Sequence, residues 1–350
     1  MADSNRVIIN KKLLKKYLSE DEELAKSLSR FIDNSINARK ELTTTLNPCR
    51  VTITMSKDRI VIKDNSGGIK KEITDKELFK IGNDSKGEIS GIGMKKSIFK
   101  LANKVVIFSN NKDCSRKFYL DINLDGEELK SGNEDIEFNP NECEGTIISI
   151  SDLEEGTKKE IEDSQGNKNI LNKLGRVYSK FIEKGELVIC IGDKDIVKPQ
   201  SINADKINEC DLLDGYHVVL YKGKKNEKSG IDMFINDYMI YDREKSKEKV
   251  KWNLLNESKH SYKDCIVEIN YYGEMRKFID NKNELFTQVI DFIKENRTAF
   301  LSKTISIQYD MDIEKVDDLE EYYDENSAKS IGIKAFNKLY EDFLCKKDRF

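Results

Sequence analysis

Arg30-Phe31-Ile32-Asp33-Asn34-Ser35-Ile36-Asn37-Ala38 is the stretch that decides how this chain is read. At about 100° per residue, Leu24, Leu28, Phe31, Ile32, Ser35 and Ile36 fall on one face of a helix. That face should pack on a sheet. Arg30, Asp33, Asn34 and Asn37 fall on the opposite face, at i, i+3, i+4 and i+7. Read alone, four polar groups there describe a solvated helix surface. Ser19 with Glu22 three positions on is a capping-box pattern. It opens the helix, which runs to about Leu42.

Three glycine-bearing segments follow. Cys49–Met55 and Arg59–Lys63 alternate apolar and polar residues around Ser56-Lys57-Asp58, the pattern of a β-hairpin. Asp64 ends the second strand and runs into Asn65-Ser66-Gly67-Gly68. Glycines there let backbone approach a ligand, and a carboxylate accepts a hydrogen bond from an exocyclic amine. Gly91-Ile92-Gly93-Met94-Lys95-Lys96-Ser97 opens a further helix. Free N–H groups at a helix start make an anion site, and the lysines add charge. Gly145-Thr146 begins a strand whose threonine hydroxyl can share an adenine contact with Asp64. Taken singly, each segment reads equally well as an ordinary turn, helix start or strand threonine.

Composition bounds the rest. A chain of 350 residues suggests about two domains. Hydrophobic residues at 38% exclude a chain disordered by composition. Sixty basic against 64 acidic side chains, net −4, give no global nucleic-acid signature and leave a local basic face open. The 7 cysteines include no Cys-x-x-Cys pair, and only His217 and His260 could join them, which argues against a zinc site. No apolar stretch approaches the roughly 20 residues that cross a bilayer. Met1–Lys16 lacks an apolar signal core, so the cytoplasm is the expected compartment.

The pattern predicts an α+β chain. Helices are expected at Met94–Ala102 and about Asn169–Ile182, with strands at Lys104–Ser109, Ser115–Asp121, Gly145–Ile150 and Glu186–Ile191. Val197–Cys210 is the candidate boundary between domains 1–200 and 201–350. Beyond it Val218–Lys222, Ile231–Tyr241 and Cys265–Tyr272 read as strands, and Glu284–Glu295 and Ala328–Cys345 as helices.

In order and spacing these segments resemble the GHKL superfamily, the group of gyrase, the ninety-kilodalton heat-shock chaperones, histidine kinases and MutL. Residues 30–38 resemble its N-box, commonly Glu-x-x-x-Asn-x-x-Asp-Ala. Asp64–Gly68 resembles its Asp-x-Gly-x-Gly box, and Gly145-Thr146-Ile147-Ile148 its last box. Ile81-Gly82-Asn83-Asp84-Ser85-Lys86 followed by Gly91–Lys95 looks like the lid and second glycine box, most like MORC-type and chaperone-like members. The resemblance covers about Ser19–Gly192 and implies a Bergerat-type sandwich, followed by a smaller transducer-like α/β domain with a C-terminal helix.

It implies ATP and Mg²⁺ as ligands. Asn34 would bind Mg²⁺, with Asn37 where the family carries aspartate. Asp64 and Thr146 would hold the adenine amine, and Gly68 would let the base lie close. Gly91, Gly93 and Lys95 would hold phosphates, Lys86 would close over them, and Lys282 of the second domain would reach the γ-phosphate. A nucleotide-dependent homodimer or a protein partner is the implied use, and nucleic acid stays open.

The departures bear on turnover. Where active members carry the glutamate that activates water, this chain has Arg30, which cannot act as a general base. Asp33 is the nearest acid on that face. Ser66 replaces a glycine, and Glu88 stands where the second glycine box should begin. The expected function is a Mg-ATP-dependent switch or clamp with slow or absent hydrolysis. The alternatives are an active ATPase clamp and an interaction module with a decayed nucleotide site.

Overall fold

The computed structural model describes residues 15, 23–42, 47–80, 92–122, 130–137, 144–163, 166–192, 195–255 and 262–300. The chain divides into two compact units, Met1–Ser201 and Ile202–Phe350. No helix among the described residues is long and apolar enough to cross a membrane.

The first unit is an eight-stranded mixed sheet with helices on one face. Its strands are β1 (Cys49–Met55), β2 (Arg59–Asp64), β3 (Ala102–Asn111), β4 (Cys114–Asp121), β5 (Lys130–Ile136), β6 (Gly145–Leu153), β7 (Leu187–Ile191) and β8 (Asp195–Ile196). They lie in the order β5-β4-β3-β6-β2-β1-β7-β8, with β1 and β7 the parallel pair. The helices are α1 (Leu24–Lys40), α2 (Asp75–Phe79), α3 (Ile92–Leu101), α4 (Glu155–Glu162), α5 (Gly166–Val177) and α6 (Ser179–Glu183).

Strand alternation decides which face the helices cover. Ile60 and Ile62 of β2, Val105 and Ile107 of β3 and Ile148 and Ile150 of β6 are buried inward. On α1, which packs against β1 and α3, Leu28, Phe31, Ile32 and Ile36 are all at most 3% exposed. Burying a side chain of that size contributes about 1.5–3 kcal/mol, so this layer is the main stabilising element of the unit. The apolar face of α1 is therefore the one its periodicity predicts.

The start of α1 differs from expectation. Its N-cap is Glu23, which makes no side-chain cap. Instead the Leu24 amide donates to the Glu160 carboxylate of α4 at 2.8 Å, so a neighbouring helix satisfies one of the free first-turn N–H groups. Ser19 and Glu22, and the helix expected at Ala328–Cys345, lie outside the described residues. The single helix expected near Asn169–Ile182 is two, broken at Tyr178 (φ −105°, ψ 15°).

The second unit is a five-stranded sheet packed on one long helix. Its strands, β9 (Ala204–Leu212), β10 (Tyr216–Gly223), β11 (Gly230–Ile235), β12 (Tyr238–Glu244) and β13 (Cys265–Tyr271), lie in the order β12-β11-β13-β10-β9. A one-turn helix, α7 (Lys247–Val250), precedes β13, and α8 (Met275–Glu295) follows it. Val218, Met233, Val267 and Ile269 pack against Phe286, Val289 and Ile293 of α8 in one core.

Two expectations are corrected here, and one strand is added. Ile231–Tyr241 is not one strand but a hairpin, turned at Asn236 (φ 50°) and Asp237 (φ 70°), the left-handed pair of a tight two-residue turn. The expected boundary segment holds the break at Ser201/Ile202 and also most of β9, a strand hidden because a register shift opposite Leu220/Tyr221 puts Ile207 and Cys210 on the same face at odd spacing. Finally, α8 begins nine residues earlier than Glu284, at Met275, so Lys282 stands on a helix rather than in a loop.

Candidate functional site

The inner layer of the first unit leaves a cleft of about 730 Å³ between α1, α3, the loop after β2 and the inward face of β3 and β6. Asp64, at the end of β2, is 8% exposed. One of its carboxylate oxygens accepts from the Ser66 amide at 2.8 Å and the Thr146 amide at 3.3 Å. The other accepts from the Ser35 hydroxyl at 3.1 Å and from the Thr146 hydroxyl. These four donors take up the lone-pair capacity of a carboxylate. An incoming amine must therefore displace a hydroxyl. Ser35 can turn away without loss, because the carbonyl of Phe31 also lies 3.1 Å from its oxygen.

Close backbone approach brings Thr146 to Asp64. A Cβ on Gly145 would lie 2.0 Å from the Asp64 carbonyl, so only glycine lets β6 start there. Gly68 has φ +70°, and a Cβ on it would lie 2.5 Å from the carbonyl oxygen of Asn110. The nearest atoms to that Cβ belong to strand backbone, so protein packing already accounts for this glycine. Ser66 departs from the family's glycine at no backbone cost, since it is not among the residues with positive φ.

Three side chains tie the loop after β2 to the sheet. Asn111 donates to the Gly67 carbonyl at 2.7 Å, and the Ile69 amide donates to the Ser109 hydroxyl at 2.7 Å. Arg116 of β4, 6% exposed and lying over the Phe118 ring, donates to the carbonyls of Lys70 (2.5 Å) and Ile73 (2.8 Å). Lys70 and Ile73 line the cleft, so Arg116 holds one of its walls. Sequence reasoning missed Ser35 and Arg116. The signal for Arg116 was its place in the inward alternation with Phe118 and Leu120, where a charge is out of pattern.

At the other end, Gly93, Met94 and Lys95 of α3 line the cleft, with Asn34 of α1. Lys95 is 7% exposed, and burial pulls its ammonium below the ordinary value of 10.5. It has no hydrogen-bond or ion-pair partner among the described residues. A buried, uncompensated cation facing a cleft is a site for an anion.

Arg30 does not line the cleft; its guanidinium donates to the Gly93 carbonyl at 3.1 Å and so joins α1 to the first turn of α3. Asp33 also lies outside the cleft lining, and the Tyr178 hydroxyl contacts its carboxyl at 2.7 Å. Burial raises the Asp33 carboxyl above its usual 3.8, against the lowering pull of Tyr178 and Arg30.

The structure thus gathers Asn34, Asp64, Gly68, Gly93, Lys95 and Thr146 around one cleft. Asn37, expected at the ligand, is exposed on α1 and is not among the lining residues. Lys282 belongs to the second unit. Lys86 and Gly91, with most of the expected lid, lie outside the described residues.

Comparison with known families agrees with this geometry. Residues 22–160 match the family described as histidine kinase-, DNA gyrase B- and HSP90-like ATPase. No curated protein matches the chain significantly. The matched stretch contains the α1, β2, α3 and β6 elements that build the cleft, and a domain of this family implies ATP binding. The mixed sheet, the helical layer on one face and the family match together assign the first unit of this chain to the GHKL superfamily.

Proposed function

We propose that the first unit binds Mg-ATP in this cleft as a conformational switch, with hydrolysis slow or absent. The observation that carries the reading is one cleft with an amine acceptor at one end, Asp64 beside Thr146, and at the other a buried lysine, Lys95, with no partner among the described residues. That donor set fits a nucleotide triphosphate. Asp64 and Thr146 would take the adenine amine, Gly93 and Lys95 the phosphates, and Asn34 the Mg²⁺, which neutralises phosphate charge when bound. Asn37, Lys86, Gly91 and Lys282 remain assigned by resemblance alone. The bound state would be reported through a nucleotide-dependent homodimer or to a protein partner.

Arg30 supports slow turnover. A guanidinium cannot take a proton, and this one is committed to a backbone carbonyl of α3. Removing a general base commonly costs about 10²–10⁴ in rate. Against the active-clamp alternative stands Asp33, whose carboxyl is held by Tyr178 outside the cleft lining. The test is turnover by wild type and Arg30→Glu under saturating Mg-ATP. Near-background wild-type turnover that rises about tenfold or more in Arg30→Glu supports the reading. Robust wild-type turnover that survives Arg30→Glu and Arg30→Ala overturns the role given to Arg30.

A further inference from the structure

The helices and the cleft occupy one face of the eight-stranded sheet; the other face has a composition of its own. Strand register fixes its rows. Lys117, Phe108, Ile147 and Lys63 lie side by side across β4, β3, β6 and β2. The next row is Tyr119, Val106, Ser149 and Val61, and the third is Asp121, Lys104, Ser151 and Arg59. Phe108 is 38% and Tyr119 42% exposed. With Ile136 and Ile196 they are the exposed large apolar side chains of this unit among the described residues, and the register puts all four on this face.

Phe108 and Tyr119 are diagonal neighbours on adjacent strands, about 7–8 Å apart and closer at Cβ. Tyr119 lies against Gly132 of β5, where a Cβ would meet its ring carbon at 2.5 Å. The ring therefore rests on the strand and turns its other face outward. Around this aromatic and aliphatic centre the paired strand residues described on this face include Arg50, Arg59, Lys63, Lys104, Lys117 and Lys130 against Asp121 and Glu134. Of these, Lys117 is paired to Glu134 at 2.6 Å, while Arg50, Arg59, Lys63 and Lys104 are exposed. In a chain of net charge −4, this is a local reversal of sign.

We propose that this outer sheet face binds single-stranded nucleic acid. Basic side chains track a phosphate backbone while outward-facing aromatic rings stack on unpaired bases, and an open sheet displays both at once. An acidic protein segment would meet the charges but would leave Phe108 and Tyr119 without a stacking partner. A second copy of this chain would set the same positive rows against themselves. The inference is independent of the ATP reading, because the two use opposite faces of the sheet.

The test is fluorescence anisotropy of the full chain with a labelled 15-nucleotide oligothymidylate at low salt. Binding is expected to weaken about fivefold or more in Phe108→Ala. In the double variant Arg59→Ala/Lys63→Ala it should weaken further and lose about 1.4 from its log–log salt slope. Tyr119→Leu backs up Tyr119→Ala should loss of the ring over Gly132 unfold the edge, and the unfolding midpoint of every variant serves as control. Heparin and duplex DNA of equal length are expected to compete poorly. No binding by wild type overturns the proposal, as does binding indifferent to Phe108 and Tyr119, equal competition by heparin, or self-association that these substitutions abolish.

Discussion

At one end of the cleft the Asp64 carboxylate accepts from two backbone amides and two hydroxyls; at the other the Lys95 ammonium is buried with no partner among the described residues. The first end is fully satisfied before any ligand arrives, so in the proposed reading it would fix geometry and specificity. The second holds a desolvated charge that the fold carries at a cost, and an anion would offset that cost. Under the proposed function, recognition and affinity would be built by opposite means within a single cavity.

The comparison breaks most sharply at Asp64. Asp64→Asn points an amide nitrogen at donors and presents the wrong pattern to adenine, so ATP affinity should fall about 100-fold, given roughly 1.5–3 kcal/mol for a charge-assisted bond. Titration calorimetry reads it, and a loss under threefold would mean the base does not sit there. Gly68→Ala asks how rigid that end is. Its Cβ would strike the Asn110 carbonyl at positive φ, so unfolding should become easier by about 2 kcal/mol in urea titration.

Lys95→Met should act with opposite signs on the two properties. A lysine whose folded-state value is depressed lends stability above its unfolded value near 10.5 and loses it as pH falls through the depressed one. At neutral pH the charged form is therefore a cost, and methionine removes it. The free protein should melt higher while ATP affinity drops about tenfold, near 1.4 kcal/mol. Loss of both would make Lys95 a structural residue. The smallest effect is expected at Asp33. Its folded-state value is raised, so its contribution to stability is full below 3.8 and is lost as pH rises through the folded value. Asp33→Asn escapes that loss. Its advantage over wild type, read by urea titration, should grow as pH rises through the carboxylate range.

The sequence was legible where one periodicity ran unbroken. The apolar face of α1, the β1–β2 hairpin and the Asp64–Thr146 pairing follow from spacing and order. It was opaque where local geometry interrupts the period. A bulge hid β9, two left-handed residues hid the hairpin at Asn236-Asp237, and a polar run from Asp280 to Asn283 hid the first turns of α8. The sequence pointed to residues that line the cleft, but not to their supports. Ser35 and Arg116 act through contacts distant in sequence, 29 residues from Asp64 in one case and 46 from Lys70 in the other. Nothing local announces Ser35, and Arg116 shows only as a charge out of pattern in the inward alternation of β4.

The most direct test of the central claim is calorimetric titration of the wild-type protein with ATP, with and without Mg²⁺, while phosphate release is followed on the same sample. The account predicts saturable one-to-one binding that Mg²⁺ strengthens, with phosphate release near background. Absence of binding heat at millimolar Mg-ATP, or binding accompanied by rapid steady turnover, would contradict it.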